Sequence, residues 1–143
     1  LKSYIDAQPK SIQLCHIDAV PDNFLFVTGK EGSEEIKLTD WEYAGMQDPH
    51  LDVAMFIIYA MYDRDSAEKL IDLYFSDGCD KATRLKIYCY IAVSGLVWSN
   101  WCEFKRHCGV EFGAYAQRQY DYAREYTKIF FKEYREAFGR DYV

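Results

Sequence analysis

Two carboxylates and an amide, Asp18, Asn23 and Asp40, are of the types needed to move a proton and to hold a hard metal ion. Asp18 and Asn23 share one polar stretch, and Asp40 follows a pair of β-favouring runs. A strand out and a strand back returns the chain to its starting edge, so Asp40 is expected beside Asn23. One carboxylate and one amide oxygen suit Mg²⁺ that is also bound by substrate phosphates. Asp18, close but outside that ligand set, is placed to accept a proton from an attacking hydroxyl. Taken singly, Asp18, Asp22 and Asn23 are ordinary turn residues; their joint order is what points to chemistry.

A second group is aromatic. Trp98 and Trp101 fall on one face of a helical pattern, and Tyr115 opens the next helix after a break at Cys108-Gly109. Rings that converge on a cavity hold quaternary ammonium groups, because each ring face presents negative potential to a cation. The competing reading is plain helix packing, which the same spacing allows. Aromatics make up 17% of the chain, more than a core of this size needs, which favours a site lined by rings.

The elements that must position these groups follow from the pattern. Runs at 11–14, 24–28 and 35–38 favour strands, with Gly29-Lys30-Glu31-Gly32-Ser33 as a turn, so a small hairpin is expected. Pro21 and its polar neighbours make 16–23 a loop ahead of the hairpin, and 39–49 a second loop after it. Helical patterns then cover 51–62, 65–75 with Asp65 and Glu68 as a variant capping box, 80–107 and 111–138, where Gly139 stops the last. The fold class expected is mainly α with a small β-hairpin, one domain over residues 1–143.

Composition narrows the function classes. With 17 Lys+Arg against 23 Asp+Glu the formal net charge is −6, so nucleic acid and anionic membrane surfaces meet net repulsion. Cys15, Cys79, Cys89, Cys102 and Cys108 are odd in number and lack CxxC spacing, which argues against a disulfide framework or zinc cage and fits a reducing cytoplasm. The longest apolar stretches are about 12 residues, short of the roughly 20 that span a bilayer. A start at Leu1-Lys2-Ser3 leads us to expect a piece of a longer protein.

The segment from Cys15 to Asn23 reads HxDxxxxN, and after the hairpin comes Thr39-Asp40-Trp41-Glu42. Together they resemble the catalytic loop and metal-binding segment of kinase-like phosphotransferases. Protein kinases carry Lys two residues after the catalytic Asp and Gly two after the metal Asp; here those positions are Val20 and Glu42, so protein substrates are not expected. The chain is instead similar to the aminoglycoside phosphotransferase and choline/ethanolamine kinase group, through Asp40-Trp41-Glu42 and Asp52-Val53-Ala54. Choline kinases resemble the later stretch too, with a WxxW pair at Trp98-Ser99-Asn100-Trp101 and an EFG segment at Glu111-Phe112-Gly113 followed by Tyr115. The resemblance implies the C-terminal lobe of the protein-kinase-like fold. It implies Asp18 as base, Asn23 and Asp40 as Mg²⁺ ligands, His16 as a residue that packs the loop and Asp52 as a buried acceptor that steadies it. Glu42 either touches the metal through water or is a solvated carboxylate. Where members of the group often place a Glu, this sequence has Tyr59, so Tyr59 and Tyr62 join the candidate rings around a small cationic alcohol.

No Gly-rich phosphate loop or VAIK-like strand is present in the sequence, so the lobe that covers ATP is expected to be absent and this piece alone inactive. The leading expectation is a choline kinase lobe that uses MgATP. A kinase of ethanolamine, an aminoglycoside or another amino alcohol is the neighbouring alternative, and a non-catalytic helical interaction module the third. Oligomeric state is not legible.

Overall fold

The computed structural model describes residues 1–143, the side chain of Glu31 excepted. Helices dominate: α1 (Lys2–Ala7), α2 (His50–Tyr59), α3 (Arg64–Tyr74), α4 (Lys81–His107) and α5 (Ala114–Phe138). Four short strands, β1 (Gln13–Cys15), β2 (Phe24–Thr28), β3 (Glu34–Leu38) and β4 (Gly45–Gln47), form two separate antiparallel pairs. The expected hairpin is β2–β3, with Phe24 opposite Leu38 and Thr28 opposite Glu34.

Several boundaries differ from the sequence reading. The strand expected at 11–14 is Gln13–Cys15, and its partner β4 lies inside what reads as a loop, Cys15 facing Gly45. Three-residue strands leave too short an alternation to register as a pattern. The short helix α1 was not expected; it buries Tyr4 and Ile5 against the core. Helix α2 stops at Tyr59 rather than at 62, because Met61 adopts φ 51°. Tyr62 N–H then reaches back to Ile57 O at 3.1 Å and Met61 N–H to Ile58 O at 3.4 Å, a Schellman closure without glycine. Helix α3 is capped by Asp63, whose carboxylate accepts Ser66 N–H at 2.9 Å, and not by an Asp65–Glu68 box. Glu68 is engaged elsewhere, by Arg64, Arg84 and the Tyr88 hydroxyl. Helix α5 begins at Ala114, three residues later than expected from Glu111, since Gly113 at φ 54° turns the chain first.

The core runs between α2, α4 and α5, where Ile57, Ile58, Leu85, Tyr88, Ile91, Tyr122, Tyr126 and Phe130 are buried. Gly95 allows α4 and α5 to close on one another, since a Cβ there would lie 2.7 Å from Gln119 O and 2.9 Å from Tyr122 Cβ. Gln119 is fully buried and donates through Nε2 to Ile58 O at 2.9 Å, which ties α5 to the end of α2. Among the described residues no helix is long and apolar enough to cross a membrane, and all five cysteines are free.

Candidate active site

The loop between β1 and β2 is held from below by one side chain. Asp52, in the first turn of α2, accepts the backbone N–H of His16 and of Ile17, each at 2.8 Å. Ile17 has φ 69°, a conformation that β-branched residues rarely adopt. His16 is buried; its Nε2 donates to the Thr39 carbonyl at 2.8 Å and its ring meets Trp41 edge-on at 4.7 Å. The imidazole therefore ties the first loop to the start of the second.

At the open end of the hairpin the backbone of Asn23 meets Thr39, the residue before Asp40. Thr39 N–H and Thr39 Oγ1 both donate to Asn23 O, at 3.0 and 3.2 Å. The Asn23 amide nitrogen donates to Asp18 O at 2.9 Å, which leaves its Oδ1 as the free end of the side chain. Asp40, exposed at φ 63°, follows directly on Thr39. The donor set of one amide oxygen and one exposed carboxylate fits Mg²⁺, which keeps waters and substrate phosphates in its remaining positions. Among the described residues no group of three or more His, Cys, Asp or Glu side chains is placed to hold a metal, so no closed protein cage competes with such an arrangement.

Asp18 opens into a cleft of about 990 Å³ that is also lined by Tyr59, Trp98, Trp101, Phe112 and Tyr115. The rings follow one another around the wall: Tyr59 to Trp98 at 5.6 Å, Trp98 to Trp101 at 5.1 Å, Trp101 to Phe112 at 5.2 Å and Phe112 to Tyr115 at 6.4 Å between centres. Burial, and after it the neighbouring Asp18 carboxylate, holds the Tyr59 hydroxyl well above the ordinary phenol value. Burial pushes Tyr115 up to about 12, with Cys102 and Asp18 adding to it. Both phenols are thus uncharged donors at neutral pH. Glu42 lies on the same cleft, together with Asp22 and Tyr43. Lys105 Nζ stands 5.6 Å from the Trp101 ring centre, so a cation of the chain itself already rests on that indole.

Tyr62 does not line this cleft. Its ring packs edge-on to Phe56 at 5.8 Å, and its carbonyl accepts the Tyr122 hydroxyl and Arg118. The early end of α2 is the reason: past Met61 the chain leaves the helical face that Tyr59 occupies. Phe112 and Tyr43, which the sequence reading did not single out as site residues, do line it. Phe112 stood inside the EFG segment, and its three-residue offset from Tyr115 was the available signal. Tyr43 carried none.

Arranged this way, a carboxylate at one end of an aromatic cleft and hard oxygen donors beside it can bind a small cationic alcohol and deprotonate its hydroxyl. Comparison with known proteins places the chain among kinases. The family model for choline/ethanolamine kinase matches residues 1–78. Protein LicA of Haemophilus influenzae is 30% identical, over 76% of this chain and 41% of the relative. Among solved structures, a choline/ethanolamine kinase family protein from Mesorhizobium loti superposes with TM-score 0.73 at 26% identity, covering 89% of this chain and 43% of that one. Choline kinase LicA from Streptococcus pneumoniae gives TM-score 0.67 at 27% identity, covering 90% and 44%, and a LicA complex with AMP gives 0.68. The chain spans less than half the length of each of these relatives.

Proposed function

This chain belongs to the choline/ethanolamine kinase family, and from that premise we propose that it is the catalytic and acceptor-binding lobe of a choline kinase. The whole enzyme would transfer the γ-phosphoryl group of ATP to the hydroxyl of choline. One observation carries this reading: Asp18 and the rings of Tyr59, Trp98, Trp101 and Tyr115 line a single cleft. A trimethylammonium group has no N–H to donate, so ring faces suit it better than acceptors do, each worth about 0.5 to 2 kcal/mol. With that end caged, the hydroxyl points to Asp18.

Asp18 takes the hydroxyl proton as the choline oxygen attacks the γ-phosphorus, and the bond from that phosphorus to the β,γ-bridging oxygen breaks, releasing ADP. Asn23 and Asp40 are the residues that would hold Mg²⁺, which when bound neutralises charge on the phosphate oxygens. Asp52 and His16 fix the loop on which Asp18 and Asn23 stand. Phosphoryl transfer needs the nucleotide positioned from both sides, and these residues contain no Gly-rich phosphate loop. Turnover therefore belongs to the full-length enzyme, and this lobe alone is expected to show little.

The test is phosphorylation of choline, ethanolamine and kanamycin by full-length enzyme, wild type and Asp18→Asn. The expected result is the highest kcat/KM for choline and a loss of roughly 100-fold or more in kcat for the variant. A preference for kanamycin or ethanolamine removes choline as the acceptor. Near-normal kcat for Asp18→Asn removes Asp18 as the base.

A further inference from the structure

We propose that Lys105 is a specificity-determining residue, whose ammonium, seated on the ring of Trp101, restricts the acceptor to a single cationic centre. The inference rests on the reading of the cleft as the site of a cationic alcohol and deepens it by naming the charge that alcohol carries.

Size does not set that limit, because a cleft of about 990 Å³ has room for ligands far larger than a small alcohol. The charges on its wall do not set it either. Asp18, Asp22 and Glu42 line the cleft, no Lys, Arg or His does so among the described residues, and the chain carries a formal net charge of −6. Left to these groups, the cleft would draw a polycation more strongly than a monocation. Lys105 supplies the opposing charge.

Val97, Trp98 and Trp101 line the cleft from α4, and Lys105, four residues after Trp101, continues that helix face by one turn. Its Nζ stands over the Trp101 ring, 5.6 Å from the centre. The neighbouring cations of the last turn are engaged elsewhere: Arg106 donates to both Glu103 carboxylate oxygens, at 2.7 and 3.0 Å, and His107 Nδ1 bonds the Glu103 carbonyl at 2.8 Å. Among the described residues no carboxylate forms an ion pair with Lys105, so its charge rests on the indole alone. Trp101 is the third ring in the series Tyr59, Trp98, Trp101, Phe112, Tyr115, whose two end hydroxyls both feel the Asp18 charge. Trp101 is thus the turn of the aromatic wall that lies away from Asp18. An acceptor with its hydroxyl at Asp18 and its ammonium among the rings sends any further substituent on nitrogen past Trp101, toward Lys105. An apolar arm can lie along the lysine stem there. A second cation meets a like charge that no carboxylate offsets.

The experiment uses full-length enzyme and three acceptors: choline, and two analogues in which one N-methyl is replaced by a propyl arm ending in trimethylammonium or in tert-butyl. The arms match in shape and differ in charge. Wild type should use the tert-butyl analogue with a kcat/KM roughly tenfold or more above that of the dication. Lys105→Gln should raise kcat/KM for the dication roughly 5- to 30-fold, and for choline by about threefold at most, because the choline charge stays further from residue 105. Lys105→Met should do the same and keeps the stem on the ring, so it serves where Lys105→Gln loosens the helix end. Lys105→Arg retains the cation and should keep the wild-type ratio. Equal use of the two analogues by wild type overturns the proposal, as does an unchanged ratio in Lys105→Gln and Lys105→Met. A lowered thermal midpoint with that unchanged ratio also overturns it, by assigning Lys105 to the end of α4 as a helix-terminal cation. Turnover of choline with neither analogue accepted by wild type or variants overturns it too, since shape then sets the limit. These outcomes leave the proposed function standing; failure of wild type to phosphorylate any of the three acceptors removes that function and this inference with it.

Discussion

Asp52 Oδ1 accepts the backbone N–H of Ile17 at 2.8 Å, and Ile17 stands at φ 69° one residue before Asp18. A β-branched residue in the left-handed region costs on the order of 1–3 kcal/mol and persists only where its surroundings over-determine it. The second Asp52 oxygen on His16 N–H supplies that constraint. Asp52→Asn presents an amide where two acceptors are required, so one N–H loses its partner. The whole enzyme should lose about 1–3 kcal/mol of stability and show a lower kcat with choline Kd little changed. Denaturant unfolding and steady-state kinetics check this; an unaltered midpoint would mean that the loop holds itself.

Asn23 and Asp40 should be separable from Asp18 by their response to metal. Asn23→Ala removes the oxygen that the Asp18 carbonyl leaves free by binding Nδ2, and its activity should recover in part as Mg²⁺ is raised. Asp40→Asn should weaken Mg²⁺ more, since it removes the charge of the one carboxylate in the ligand set. Asp18→Asn should not recover. Activity against Mg²⁺ concentration distinguishes the three, and identical curves for all of them would count against separate roles.

For the cage, Trp98→Leu keeps apolar volume and discards the ring face. Choline affinity should fall by about 0.5 to 2 kcal/mol, roughly 2- to 30-fold, while KM for ATP barely moves. Trp101, exposed at its edge and already carrying Lys105 at 5.6 Å, should give the smaller loss. Calorimetric titration with choline measures both. If either variant lost stability instead and bound choline as before, its ring would be helix packing.

Much of this was legible in the sequence because the chemistry-bearing residues sit in order along short, punctuated segments. The hairpin follows from the runs at 24–28 and 35–38 and a Gly-bounded turn, and long α4 and α5 from sustained three- and four-residue spacing. Phe112 apart, what escaped at the strands and at the end of α2 had no local signal. Strand β4 is three residues whose partner lies across the loop, and α2 ends at a left-handed Met where glycine would have announced the stop. That one hidden cap is why Tyr59 lines the cleft and Tyr62 does not. Tyr43 enters the wall only because the second loop doubles back on β1, a tertiary fact that no spacing encodes.

The buried pair Lys86 and Asp48 was equally invisible. Lys86 Nζ donates to Asp48 Oδ2 at 2.8 Å and to Pro9 O at 2.9 Å, with both side chains almost wholly enclosed. This pins the segment after α1, and the turn before α2, to α4. Burial works against the Asp48 charge, yet Lys86 and the His50 N–H hold its carboxyl below the usual range. Lys86→Met leaves that carboxylate without its cation, a loss of about 3–5 kcal/mol at neutral pH. Next to it, burial first and Lys86 second hold His50 below its ordinary value, with Asp48 and Asp80 opposing. Above about pH 6.5 His50 is neutral folded and unfolded alike, so it has no effect on stability there. Below that, the unfolded chain takes up a proton that the folded chain resists, and stability falls; Asp48 adds its own loss only below about pH 4, as its carboxyl is protonated. Unfolding free energy measured from pH 8 to 5 should decline for wild type below about 6.5, and this part of the decline should flatten in His50→Gln. An equal slope in the variant would assign the decline to other groups.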